Sequence, residues 1–355
     1  MRNESKQFLK AYLDNVSPTG FEYSGQKIWL DYLKPYVDEH FVDVYGTAVG
    51  VINPGKDYKV VLEAHADEIS WFVNHITDDG YIYVIRNGGS DFQIAPSMRC
   101  NIFCENGSVV KGIFGWPAIH VRTDKNPETK QDTIFIDVGC KNKEEVIALG
   151  IHIGAVAVFE AGSEWLNDQF LIGRALDNRI GGFMIAEVAR TIKENNIDLP
   201  FSLYIVNSVQ EEIGLRGAEM ISRRINPDVA IITDVTHDTH SPLYDKKKQG
   251  DCKCGRGPVV TYGPAVQNNL LQFIIQVAKD NNIEFQRNAV SRSTGTDTDS
   301  FAYSSTGVAS ALISLPLKYM HTTVETVHHD DIQGCIDLMY YSVKALNSGQ
   351  QFNYL

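Results

Sequence analysis

Strand and helix patterns alternate through the C-terminal half of this 355-residue chain, which predicts an α/β fold with helices on both faces of a mixed sheet. A second observation divides that fold. Between about Ile69 and Ser163 the pattern changes to short alternating segments around tight turns, the mark of an inserted small β-rich domain. A third concerns chemistry. Histidines and carboxylates recur where apolar strand runs end, the edge at which open α/β sheets bind ligands.

The elements follow in order. Glu4 to Asp14 has helical periodicity, the turn "SPTGFE" breaks it, and Tyr23 to Leu33 reads as a second helix. "FVDVYGTAVGVIN" is β-rich, and "YKVVLEAHAD" carries the short continuous apolar run of a strand buried on both faces. In the insert, "SWFVNHITDDGYIYVIRNGG" alternates around an Asp-Asp-Gly turn. Further strands are expected in "VVKGIFGW", "DTIFIDVG" and "GAVAVFE", and one helix near Lys143 to Leu149.

Beyond the insert a long helix begins near Asp177. Strands are expected in "FSLYIVNSVQ", "DVAIITDV" and "ASALISLP", and helices in "GLRGAEMISRRI" and "NNLLQFIIQVAKDN". A final helix, Ile332 to Leu346, takes Asp331 as its N-cap. The α/β domain is therefore discontinuous, residues 1–66 and 164–355, with the β-rich insert at 67–163.

A formal net charge of −12 with 43% apolar residues fits a globular protein and disfavours nucleic acid or an anionic membrane surface as the main partner. The opening "MRNESKQFLKAYLDNV" lacks an apolar signal core, and no run of about eighteen apolar residues occurs, so a cytoplasmic protein is expected. Six cysteines show no C-x-x-C spacing, and Cys252 and Cys254 in "DCKCGRG" read as a plain loop.

The ligand-type residues share a structural address. "KVVLEA" runs into His65 and Asp67, "SLYIVNSVQ" into Glu211 and Glu212, "DVAIITD" delivers Asp234, and "ALISLPLKYM" leads to His321. Singly, each has a plain structural reading: Asp177 as a helix N-cap, Asp67 and Asp234 as strand-end turn residues, His65 as a satisfied core histidine. If they converge, the four carboxylates Asp177, Glu211, Glu212 and Asp234 would repel strongly, and two dications would balance that charge. His plus carboxylate is the ligand mix of catalytic zinc, with cobalt or manganese also able to use it. Were Glu211 and Glu212 both in regular strand they would face opposite ways, so the strand is expected to break before Gly214. His237, His240, His328 and His329 lack the strand-end placement.

With these residues assembled, the sequence resembles the tetrahedral aminopeptidases, dinuclear metallo-exopeptidases that include glutamyl aminopeptidases and proteins labelled as endoglucanases. The resemblance spans nearly the whole chain, through "SPTGFE", "HADEI", "IDVGCKNKEEV", "ALDNRIGG", "VQEEIGLRGA", "DVTHDTHSP", "GTDTDSF" and "KYMHTTVETV". It implies a dinuclear zinc exopeptidase-like fold. Asp177 becomes the carboxylate bridging two metals, His65 and Asp234 the further ligands of one, and Glu212 and His321 those of the other. Glu211 becomes the general base acting on a water between the metals, and Asp67 the residue that orients His65.

The resemblance further makes "GTDTDSF" a loop near the substrate, with Asp297 as a substrate-binding residue or a helix N-cap. Ser70, where relatives carry glycine, and "GWPAIHV", where they carry "PPHL", touch no proposed ligand. The expectation is a metal-dependent aminopeptidase using two divalent ions, zinc or cobalt, on peptides. A homo-oligomer is also implied, a dodecamer built from dimers through the insert. Two alternatives stay open: a glycoside hydrolase, which uses two carboxylates without metal, and a non-catalytic metal-binding particle subunit.

Overall fold

The computed structural model describes residues 1–122 and 128–355. In chain order the strands are β1 Glu39–Val42, β2 Ala48–Ile52, β3 Lys59–His65, β4 Ser70–Ile76, β5 Ile82–Asn87, β6 Arg99–Phe103, β7 Val109–Phe114, β8 Ile136–Asp137 and β9 Val156–Phe159. They continue as β10 Glu164–Leu166, β11 Phe170–Gly173, β12 Ser202–Ser208, β13 Val229–His237, β14 Val259–Tyr262, β15 Gln286–Ala289, β16 Ala309–Lys318 and β17 Glu325–His328. The helices are α1 Asn3–Asp14, α2 Tyr23–Leu33, α3 Lys143–Ala148, α4 Leu176–Glu194, α5 Arg216–Ile225, α6 Lys246–Gln249, α7 Asn268–Asp280, α8 Thr298–Ala302 and α9 His329–Ala345.

Two sheets result. The larger runs β1-β2-β12-β3-β13-β16-β17-β11-β10, with β14 and β15 attached beside β16, while β4 to β9 close into a barrel. At the centre of the large sheet β12, β3, β13 and β16 are parallel neighbours, with Ser208 level with His65 and Asp234 level with Ser314. Parallel pairing brings their C-terminal ends to one edge, which is why side chains scattered from residue 65 to 321 can meet. The antiparallel neighbours β2 and β17 make the sheet mixed.

Burial explains the sequence pattern. β3 is buried along nearly its whole length, with Val60, Val61 and Leu62 fully inaccessible between flanking strands and helices. Helix α4 lies directly on it: a Cβ at Gly181 would stand 2.9 Å from the Ala64 Cβ, so the backbone approach requires glycine there. Helices α1, α2 and α9 pack with α4, whereas α5 and α8 pack together as a separate group. The barrel has its own core around Trp71, Ile82, Ile102, Phe114 and Ile136. Where the chain enters the barrel, buried Glu68 accepts from the Ser17 amide (2.6 Å) and pairs with Arg174, tying the barrel to α1 and β11.

Two local expectations fail. The last helix begins at His329, and its N-cap is His328, whose ring accepts from the Asp330 amide; Asp331 lies inside the first turn. Its buried carboxylate instead accepts from the amides of Gly255 (2.6 Å) and Gly257 (2.7 Å), a tertiary demand that outweighs capping. Strands β6, β10, β11, β14, β15 and β17 also lack a readable signal, being only three to five residues long. Among the described residues no helix is long and apolar enough to cross a membrane.

Candidate active site

The strand ends deliver their cargo. β12 stops at Ser208, and Gln210 (φ +58°), Gly214 (φ +111°) and Leu215 (φ +63°) make the turn that lets Glu211 and Glu212 face the same cleft. That turn is held through its backbone. Asp67 Oδ1 accepts from the Glu211 amide (3.0 Å) and Oδ2 from the Glu212 amide (3.2 Å) and the Thr19 hydroxyl (2.8 Å). Glu22, in the "SPTGFE" turn, accepts from the Gln210 amide (3.2 Å). Asp67 also stands 3.3 Å from His65 Nδ1, so it addresses the imidazole and the glutamate turn together.

Asp177 is central. It sits where α4 begins, with non-helical backbone angles, and its two oxygens diverge: Oδ1 lies 3.2 Å from His65 Nε2 and Oδ2 lies 3.3 Å from His321 Nε2. A capping role is thereby excluded. Asp234 Oδ1 is 3.9 Å from His65 Nε2, Glu211 Oε2 is 3.8 Å from the same nitrogen, and Glu212 Oε1 is 3.4 Å from His321 Nε2. The donors form overlapping clusters: His65, Asp177 and Asp234; Asp177, Glu212 and His321; and His65, Glu211 and Glu212.

Sequence reasoning missed Glu325, which is 2% exposed. One of its oxygens accepts from the Asp177 amide (3.0 Å) and the other from the His321 amide (2.7 Å), so a single carboxylate fixes two site residues. An isolated acid in a short strand carried no readable signal. Also missed was the barrel's contribution: a Cβ on Gly89 would stand 2.7 Å from the His321 ring, and one on Gly88 3.1 Å from the Glu212 Cβ. The "RNGGS" loop thus walls the site because glycine lets its backbone approach.

Asp297 does not reach the cleft. It is 1% exposed at the start of α8 without making a capping bond, and it is buried beside Glu63. Burial and the charge of Glu63 push Asp297 well above the carboxylate range, while burial raises Glu63 to about 7, so this pair retains a proton at neutral pH. The cleft-facing acid of that loop is Asp299, whose carboxylate is occupied by the amides of Thr294 and Gly295. His237 is likewise placed differently than expected. It ends β13 and, itself exposed, lines the cleft.

The site's electrostatics are those of a cluster short of positive charge. Burial drives Glu211 up to about 10, with Asp297, Asp234 and Glu212 adding to the shift against His65. Burial also pushes Asp234 well above, and Glu212 above, the usual carboxylate value. For His321 burial opposes the charge, yet the bonds to Asp177 and Glu212 lift it to about 11. Without cations, then, the group shares protons. The 3.2–3.4 Å spacings match the ~3.4 Å separation of two ligands on one tetrahedral ion with bonds of about 2.1 Å, so the residues fit two divalent ions sharing Asp177.

A family model described as M42 glutamyl aminopeptidase matches residues 46–338. The chain belongs to the M42 aminopeptidase family, and is by that membership a peptidase. Like it is the lysyl aminopeptidase of Pyrococcus furiosus, 34% identical over 336 residues that cover 94% of each chain. Among solved structures, a TET aminopeptidase from a marine sediment archaeon of the Thaumarchaeota superposes with TM-score 0.92 at 27% identity, covering 98% of each chain. The TET1 peptidase of Pyrococcus horikoshii, which can assemble into a tetrahedron or a large octahedral shell, superposes with TM-score 0.84 at 26% identity, covering 96% of this chain and 100% of that one.

Proposed function

We propose that this M42 member removes N-terminal residues from peptides with two divalent ions, zinc or cobalt. His65, Asp177 and Asp234 would hold one ion, and Asp177, Glu212 and His321 the other. Support comes from one observation above all: two donor clusters share Asp177, whose oxygens point to different histidines. When bound, such ions lower the pKa of water towards ~7 and polarise a carbonyl.

Glu211 does the proton work. Asp177 is the carboxylate nearest His65, while Asp234 and Glu211 stand about equally far from it at 3.9 and 3.8 Å; with Asp234 given to the ion, the Glu211 carboxylate is left to take a proton from attacking water and pass it to the leaving amine. Asp67 and Glu22 keep it there by holding the Gln210–Glu212 amides. The third cluster, His65, Glu211 and Glu212, permits Glu211 to be a ligand instead, and one variant separates the roles. Glu211→Gln should keep its metal and lose at least ~100-fold in turnover on amino-acid p-nitroanilides. Loss of an ion would make Glu211 a ligand, and near-normal turnover would remove it from the chemistry.

We also propose that the chain forms a homo-oligomer, a dodecamer built from dimers, in which residues 67–163 make subunit contacts. Ile113, Ile119 and Val121 stand 51%, 74% and 70% exposed in that segment, apolar surface that a neighbour would cover. Light scattering at micromolar concentration tests this, and a monomer mass would end it.

A further inference from the structure

The side chain of Asn87 belongs to the barrel yet bonds outside it. Asn87 ends β5 directly opposite Ser70, the first residue of β4, and is 6% exposed. Its Nδ2 donates to the Ser70 hydroxyl (2.8 Å) and to the carbonyl of Thr19 (2.9 Å), in the turn between α1 and α2. A carbonyl only accepts, so the nitrogen end of the amide must face Thr19. Ser70 is itself held, because its carbonyl accepts from the hydroxyl of Ser90 (2.6 Å), just past the Gly88–Gly89 wall. Thr19 then carries the connection into the cleft. Its hydroxyl donates to Asp67 Oδ2 (2.8 Å), and Asp67 accepts the amides of Glu211 and Glu212 (3.0 and 3.2 Å). Thr19, Asp67 and Ser70 are each no more than 2% exposed, so water is poorly placed to replace a bond lost from this chain.

Glu211 needs such a hold. It lies beyond the end of β12 at Ser208, so no strand ladder fixes its backbone, and Asp67 does so instead. Asp67 in turn takes its one hydroxyl bond from Thr19. Two bonds fix Thr19 itself. Its amide donates to the Glu68 carbonyl (3.1 Å), but Glu68 adjoins Asp67 in the chain, so that bond lets the turn and Asp67 shift together. The bond from Asn87 comes from a different strand and supplies the outside reference. We propose that Asn87 is a positioning residue for the proton transfer: through Thr19 and Asp67 it sets where Glu211 stands, so the barrel contributes to the chemistry as well as to subunit contacts. The inference rests on the reading of Glu211 as the group that moves the proton.

Steady-state kinetics of the metal-loaded full chain on an amino-acid p-nitroanilide tests this. Asn87→Ala should lower kcat about tenfold, the low end of what a group behind an active residue costs, with KM little changed and both ions retained. Ser70→Ala, which spares the bond to Thr19, should cost less. A cycle with Thr19→Val identifies the route. That variant removes the hydroxyl donor to Asp67, so adding Asn87→Ala should lower kcat little further, whereas independent effects would multiply. Ile102→Val, in the barrel core, controls for loosened packing and should lower the melting temperature while leaving kcat unchanged. A normal kcat for Asn87→Ala, effects that multiply, loss of an ion, or an equal loss of kcat in Ile102→Val would each overturn the role of Asn87. Near-normal turnover of Glu211→Gln would instead overturn the reading of Glu211 beneath it; a slow Glu211→Gln beside a normal Asn87→Ala removes only Asn87.

Discussion

The two histidines of the site sit in opposite kinds of structure. His65 ends a central strand with its side chain 1% exposed, locked between β12 and β13, whereas the His321 side chain is 32% exposed on a loop whose own φ is +62°. A strand-borne ligand takes its position from the sheet. A loop-borne ligand must be held by other means, and here Glu325 accepts its amide while Gly89 of the barrel abuts its ring. Left-handed backbone at a non-glycine residue costs about 1–2 kcal/mol, which those contacts must offset. The inner half is therefore built into the fold, and the outer half is assembled onto it.

Perturbations of the shared, the outer and the supporting groups should differ accordingly. Asp177→Asn strikes both halves and should bring turnover to background with metal content well below the wild type; retained activity would mean that the halves do not share a carboxylate. His321→Ala should release the outer ion and spare the inner one, so turnover falls while dialysed protein keeps one equivalent. Losing both ions would show the halves to be one cooperative unit.

A milder variant probes the support. Glu325→Gln leaves one acceptor oxygen for two amides and should weaken the outer ion about tenfold, the usual effect of a residue that orients a ligand, and by calorimetry the inner ion less, because it meets Glu325 only through the shared Asp177. Equal weakening of both would assign Glu325 to the whole site. The smallest effect concerns pH. In metal-free protein the His321 pKa lies near 11, so at neutral pH this ring is protonated and must lose its proton to become a ligand. Metal binding should therefore release protons, and apparent affinity should rise from pH 6 to pH 8, which titration in two buffers of different ionisation enthalpy would detect. A flat profile would contradict the protonated cluster.

Much of this was legible in the sequence, for physical reasons. β3 and β12 announce themselves because strands buried on both faces must be apolar, and a histidine or acid just past such a run stands out. The break after Ser208 follows from the need to aim two adjacent glutamates one way. What stayed hidden acts through the backbone. Glu22, Glu325 and Asp331 each accept amide hydrogens from distant segments, and their partners are known only once the chain is folded. Glu63 did leave a trace, an acid within "KVVLEAH" two residues before His65 and on the same face, yet its pairing with Asp297 needed the tertiary arrangement that also removed Asp297 from the cleft.

The central claim is that two ions share Asp177, and counting metal tests it most directly. Elemental analysis of dialysed protein should give two divalent ions per chain for the wild type, two for Glu211→Gln, one for His321→Ala and fewer than one for Asp177→Asn. A wild type that saturates at one ion, or a His321→Ala variant that still holds two, would contradict it.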